Sequence, residues 1–377
     1  MTDDRWFLIF EVLSEVWLKK ILVIVYLSAD RQVRKISVIK MPKFLIIRFS
    51  SIGDIVLASP VWRCIKKQMP DAEIHFVTKK SFRLVTEQSP YIDKFFYYDD
   101  NMEDLIEDFK KENYDAVIDL HKNFRSLKIK RALKKKSYTI DKLALQKFLL
   151  TKLYINVMPK RHITQRSLDT VKPLGIKDDG LGLDYFIPEK DVVKKDDIPT
   201  SHWLGYIAVV IGASYNTKKM PVHKLQELCS KIEHPIILLG GKEDAAAGEQ
   251  IASVDPTKIY NACGKFNLNE SADLVRQSKM VVSHDTGLQY IACAFKKPVL
   301  AIWGATTPAL DVEPYYGSSY LQHNPLPYEN IYLKLSCQPC SKYGTKTCPL
   351  EHFNCMEKQD VDSIVQKVYQ RLASVKV

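Results

Sequence analysis

An α/β fold built from two parallel-sheet domains in series is the architecture this sequence predicts, on three observations. From residue 41 onward, strand-length apolar runs alternate with helix-length segments, the rhythm of a parallel sheet wrapped by helices. That rhythm pauses once, after Tyr185, at the charged and proline-containing stretch IPEKDVVKKDDIPTSHW, and then resumes. At 377 residues the chain is also longer than a single core normally serves.

Residues 1–40 come first and stand apart. WFLIFEVLSEVWLKKILVIVYLSA is apolar but interrupted by Glu11, Glu15, Lys19 and Lys20, so no run reaches the eighteen or more residues of a membrane span. No signal-type cleavage site follows. The segment reads as an extension outside the catalytic fold or a weak interfacial helix. Residues 41–187 form the first domain, with FLIIRF, EIHFVT, KFFYY and DAVIDL as its strands. Residues 188–203 are the linker. Residues 204–377 form the second domain, with YIAVVI, PIILLG, KIYNA, KMVVSHD and PVLAIW as strands and a terminal helix.

Hydrophobic residues make up 46% and charged residues 26%, the balance of a folded soluble protein, which excludes a disordered chain. The net charge of +11 is concentrated: between His121 and Lys172 fifteen Lys or Arg face two Asp. Such a surface suits phosphates on nucleic acid, on anionic lipid or on a phosphorylated saccharide, although charge runs are commonly just solvated faces.

In open parallel sheets ligands bind beyond the carboxyl ends of the strands, so the loops there are where chemistry is sought. In order they are SSIGD (50–54), HKNFRS (121–126), GASYNTKK (212–219), GGKED (240–244) and HDTG (284–287). Ser51, Gly53 and Asp54 fit a helix cap as well as a site. In HDTG, the backbone N–H groups near Asp285, Thr286 and Gly287 suit an anion at a helix start, or Asp285 simply caps that helix. Lys218 and Lys219 follow a Gly-Ala turn where an ammonium would neutralise a diphosphate, or they are two solvated lysines. Gly241 permits close backbone approach and Glu243 is a partner for ribose hydroxyls, against the reading of a capped strand end with a surface acid. GxGxxG is missing after the first strand and GxxxxGK[ST] is missing throughout, which weakens a dinucleotide oxidoreductase and a P-loop phosphotransferase.

Together SSIGDIVLASPV, DLHKNFRS, GASYNTKKMP and SHDTGLQYIACAFKKPVLAIWGATTP, in that order over residues 41–372, resemble glycosyltransferase family 9, the lipopolysaccharide heptosyltransferases. The resemblance implies a GT-B architecture, two Rossmann-like domains whose parallel sheets face an interdomain cleft. It implies an inverting, metal-independent transfer of a sugar, usually heptose from ADP-heptose, with no cofactor. Asp54 matches the catalytic base and Lys218 the lysine on the donor phosphates. Asp285, Thr286 and Gly287 match the nucleotide-sugar signature, and Gly241 and Glu243 fall on the donor side. The signature's usual His is replaced by Tyr290, whose phenol donates one hydrogen bond and carries no charge. Ser51, Gly53, His121, Lys122, Asn123 and Arg125 fall on the acceptor side, with Gly53 letting the acceptor approach the backbone. Lys128 to Lys136 extend that cationic field toward a phosphorylated lipid-linked acceptor and an anionic inner-membrane surface.

Cys64, Cys229, Cys263 and Cys293 sit singly in apolar segments and read as core residues of a reducing cytosol. Cys337, Cys340, Cys348 and Cys355 have the residue types of a four-cysteine zinc knuckle at looser spacing. Free thiols are the expectation there, with a structural metal as the alternative and no catalytic metal. The resulting expectation is a cytoplasmic glycosyltransferase, peripheral at the inner membrane, adding a sugar to a lipopolysaccharide-type acceptor. Competing readings are a transferase using another nucleotide-sugar, an inactive sugar-nucleotide-binding homologue, and a non-enzymatic nucleic-acid-binding protein. Against the last, the basic region reads as lacking interleaved surface aromatics and any RNA-binding signature.

Overall fold

The structure, a computed structural model, describes residues 7–11, 21–27 and 33–374, with side chains from residue 41 to 373. Three strands open the chain: β1 (Phe7–Glu11), β2 (Ile21–Leu27) and β3 (Val33–Lys40). They pair as an antiparallel meander that joins neither of the other sheets. The interfacial helix expected of this segment is thereby corrected for its described residues. ILVIVYL and VRKISVIK are dense in Ile and Val, whose branched side chains favour the pleated backbone.

The next strands are β4 (Lys43–Ile47), β5 (Glu73–Lys79), β6 (Lys94–Tyr98), β7 (Ala116–Asp119) and β8 (Lys136–Thr139). All are parallel, in the spatial order β6-β5-β4-β7-β8. The last six are β9 (Ile207–Val210), β10 (Ile236–Leu239), β11 (Ile259–Asn261), β12 (Met280–His284), β13 (Val299–Ile302) and β14 (Tyr328–Ile331). They form a second parallel sheet in the order β11-β10-β9-β12-β13-β14. Counted within the sheet this is 3-2-1-4-5-6, the doubly wound order, and the first sheet repeats it without a sixth strand. The winding reverses between β4 and β7 in one sheet and between β9 and β12 in the other. A crevice opens at each of those points, beyond the strand ends.

Strand alternation builds the layers. Phe44 and Ile46 of β4 face one buried cluster, while Leu45 and Ile47 face another on the opposite side of the sheet. In β9, Ala208 and Val210 join the first of these clusters, and Ile207 and Val209 join a third. One apolar cluster therefore runs from the inner face of the first sheet to the inner face of the second. The helix Val361–Ser374 is the last element of the described residues, with Val361, Ile364 and Val368 buried in the third cluster beside Leu225 and Leu228.

The segment 188–203 is pinned rather than loose. Val193 donates its N–H to Asp273 (2.9 Å), Asp191 accepts from Asn269 (2.9 Å), and Gln277 donates to the carbonyl of Val193 (2.9 Å).

Candidate active site

On the first-sheet side, β4 ends at Ile47 and the chain passes through Arg48 to Ser51 into the short helix Ile52–Val56. Asp54 lies in its first turn. One carboxylate oxygen accepts from the Ser51 hydroxyl (3.0 Å) and N–H (3.3 Å), and the other meets the Arg48 guanidinium at 2.6 Å. Arg48 is buried and also donates to the carbonyl of Leu120 at the end of β7, so it ties the two crossover loops together. Enclosure in the crevice opposes the Asp54 charge, but Arg48 and Ser51 outweigh it and hold the carboxyl below the ordinary aspartate range. The group is a helix cap and an oriented carboxylate at once, with its side chain still 42% exposed.

Asp119, fully buried at the end of β7, organises the neighbouring loop. It accepts from the N–H groups of His121 (3.0 Å) and Lys122 (2.7 Å) and from Ser126 (2.8 Å), and pairs with Lys130 at 2.8 Å. This refines the acceptor-side assignments. His121 packs edge-on against Phe49 (5.4 Å), and burial, helped by Arg48 and Lys142, pushes it down to about 4, so it is neutral at pH 7. Asn123 spends its side-chain oxygen capping the helix Phe124–Leu133. Arg125 lies over the Tyr98 ring at 5.3 Å. Lys122 is exposed. Lys128 pairs with Glu103, and Lys130 balances Asp119, so the outward field is thinner than the sequence count implies.

On the second-sheet side, Lys218 reaches across the winding reversal to Asp285 (2.6 Å). Asp285 also accepts from Thr306 (2.8 Å), and the Tyr290 hydroxyl oxygen lies 3.3 Å from its other carboxylate oxygen. Its oxygens are thus committed, and the N-cap of the helix Gly287–Ala294 is Thr286, not Asp285. Lys219 pairs with Asp244 (2.6 Å), which also holds the Gly241 N–H (3.0 Å). Gly212 must be glycine, because a Cβ there would come within 2.5 Å of the Asp244 carboxylate. Glu243 is exposed and folds back over Gly241, 2.3 Å from where a Cβ would stand.

The two sides meet at Gly53. A Cβ on Gly53 would lie 2.8 Å from the Tyr290 ring, and one on Gly287 would lie 2.5 Å from Ile52. Two glycines let the helices Ile52–Val56 and Gly287–Ala294 close on each other, which corrects two expectations. The open face of Gly53 is taken by Tyr290 and leaves no room for an acceptor. Tyr290 is buried and donates to the carbonyl of Val312 at 2.6 Å, so its one proton is committed away from a donor phosphate.

Sequence reasoning passed over four cations here. Arg48 had a signal: it is the lone charge in the apolar run FLIIRF. Lys142 and Lys147 had none, being two lysines in a basic stretch. Both are partly buried near Asp54 and neither has an ion pair or hydrogen-bonded side chain among the described residues. Burial lowers both, Lys147 to about 8 with the Arg166 charge adding to it. Arg166 is buried, donates to the carbonyls of Arg161 (3.1 Å) and Asp141 (2.9 Å), and keeps Nη2 unpartnered. It lines a cavity of about 360 Å³ with Asp141, Arg161 and Asp169.

None of the eight cysteines forms a disulfide. No three of the sulfurs of Cys337, Cys340, Cys348 and Cys355 lie within 4.8 Å of one another; among the described residues the groups that do gather so closely are Cys64 with Asp178 and Asp179, and Glu73 with His75 and Glu112. Each of those already contains a protein cation, Arg63 on Asp179 (2.7 Å) and Lys43 on Glu112 (2.8 Å).

Comparison with known proteins finds relatives of this chain and of its fold. The family model for glycosyltransferase family 9 (heptosyltransferase) matches residues 102–353, well over half of the chain. Lipopolysaccharide heptosyltransferase 1 of Campylobacter coli is 28% identical over 293 residues, 70% of this chain and 84% of that protein. Among solved structures, a family 9 glycosyl transferase of Veillonella parvula superposes with a TM-score of 0.70 at 16% identity, covering 89% of this chain and 98% of that one. The ADP-heptose heptosyltransferase II of E. coli does so with a TM-score of 0.66 at 16% identity, covering 88% and 98%.

Proposed function

Because the chain belongs to glycosyltransferase family 9, we propose that it transfers heptose from ADP-heptose to a phosphorylated lipopolysaccharide-type acceptor, with inversion and without a catalytic metal. Residues 41–187 serve the acceptor and 204–377 the nucleotide-sugar. The observation that carries this reading is the placing of Asp54 and the Lys218–Asp285 pair at the two winding reversals, beside helices that touch through Gly53 and Tyr290.

In the proposed step the acceptor hydroxyl oxygen attacks the anomeric carbon while Asp54 takes its proton. The bond from that carbon to the diphosphate oxygen breaks, its electron pair leaves with ADP, and a single displacement inverts the centre. Arg48 keeps Asp54 ionised and fixes its orientation. A depressed pKa makes a weaker base, so the gain lies in positioning rather than in basicity. Lys218 meets the departing diphosphate, sharing its charge between the phosphate and Asp285, with the N–H groups at Thr286 and Gly287 adding the helix dipole. Lys142, Lys147 and Arg166 offer uncompensated charge for an anionic group on the acceptor. The lipid-linked acceptor places the enzyme at an anionic membrane surface; no helix of the described residues is long and apolar enough to cross one.

The test is release of ADP from ADP-heptose with and without a delipidated core oligosaccharide. Acceptor-dependent release supports the reading, and release that ignores the acceptor, or none with any heptose donor, overturns it.

A further inference from the structure

The helix Ala144–Lys152 has two apolar faces. Leu143 and Leu150, with Lys147 between them at helical spacing, turn inward, where both leucines pack with Met158 and Leu310. On the other face Leu145 is 65% and Phe148 53% exposed, with exposed Lys152 one turn on. The chain then continues as Leu153, Tyr154, Ile155 and Val157, each about half exposed. Scattered exposed leucines are ordinary, but a helix face running into an exposed apolar segment is a surface that lacks its partner.

Charge identifies the partner. No Asp or Glu occurs from Lys142 to Leu168, while Lys152 within the patch and Lys160 just after it in the chain are exposed. An apolar face edged by lysines and free of acids matches an anionic bilayer, where side chains enter the headgroup boundary and ammonium groups meet lipid phosphate. It fits a second copy of this chain poorly, since the same lysines would face each other.

We propose that the outward face of this helix and the segment Leu153–Val157 dock the protein on an anionic lipid bilayer. The inference deepens the membrane placing above and rests on that reading. The opposite face of the helix carries Lys147 toward Asp54, so docking holds the mouth of the crevice against the surface from which a lipid-linked acceptor is drawn.

The experiment is co-sedimentation of the full chain with phosphatidylcholine vesicles and with vesicles also containing phosphatidylglycerol. The parent should sediment with the anionic vesicles only, and the double variant F148E/I155E should lose about tenfold in bound fraction. Lys152→Glu should lose less, and that loss should fade in high salt. Turnover on a delipidated acceptor and thermal unfolding should match the parent in all variants, so a transfer failure common to all proteins would sink the catalytic reading and leave docking standing. Equal sedimentation of parent and F148E/I155E overturns the proposal. So does a parent that is dimeric and becomes monomeric in F148E/I155E without losing vesicle binding.

Discussion

Asp54→Asn separates the two jobs that the Asp54 carboxylate holds. Asparagine keeps the oxygen that accepts from Ser51, so the cap of the helix Ile52–Val56 survives. What it removes is the negative charge 2.6 Å from Arg48. Stripping one partner from a fully buried pair costs about 3–5 kcal/mol. Asp54 is 42% exposed and Arg48 keeps its bond to Leu120, so solvent screening reduces the loss to about 1–2 kcal/mol. The fold survives that. Loss of a positioned base lowers turnover by about 10²–10⁴, or about 3–5 kcal/mol of barrier at 1.36 per tenfold. Transfer should therefore collapse while ADP affinity and cooperative unfolding persist. The pH profile supplies the second reading. With its pKa held below the usual range, Asp54 stays ionised through neutral and mildly acid pH, and its loss of activity sets in only as pH falls through the lowered value. Its contribution to stability has the same sign, present at neutral pH and lost on acidification through that value. Arg48→Met removes the charge that opposes desolvation, so the acid limb of turnover should move to higher pH. Steady-state transfer, ADP titration and a pH–rate profile on both variants decide the matter. Near-parent turnover in Asp54→Asn, or an acid limb unmoved in Arg48→Met, refutes the assignment.

Three further outcomes follow from the same geometry. Lys218→Ala should weaken ADP binding at least about tenfold and lower turnover as well, because its charge meets the diphosphate before and during departure; titration showing unchanged ADP affinity would remove it from the donor site. Lys147, lowered to about 8, loses its proton in the folded state before the unfolded one, so between about pH 8 and 10 stability should rise with pH. Over the same range the KM for an anionic acceptor should rise, and Lys147→Ala should flatten both trends; a KM slope that persists in Lys147→Ala points elsewhere. Gly53→Ala forces a methyl to 2.8 Å from Tyr290 and should cost about 1–3 kcal/mol by denaturant unfolding. The cost should be smaller in a Tyr290→Ala background, a coupling read by double-mutant cycle, and strict additivity would mean that the two residues do not touch.

The nine apolar runs read as strands each fall on a strand of the two parallel sheets. Burial on both faces demands continuous Ile, Val and Leu, a demand met locally in the chain. One edge of each sheet was not legible: β8, KSYT, and β14, YENI, are short and polar, because an edge strand buries little and needs no apolar signature. The loops bearing Asp54, Lys218 and Asp285 were also readable, since each follows a strand and crevice chemistry must sit there. Their partners were not. The Lys218–Asp285 pair joins positions 67 apart, and Gly53 meets Tyr290 from the opposite half of the chain. Lys147 and Lys128 look alike in the same basic run, yet one is held unpaired beside Asp54 and the other is neutralised by Glu103. The amino-acid order determines which segments must be buried and which residue types end them, because those preferences act over a few neighbouring residues. Tertiary structure alone decides which charges meet, since a 2.6 Å contact depends on where the winding of each sheet reverses and on how closely two glycines let the halves approach.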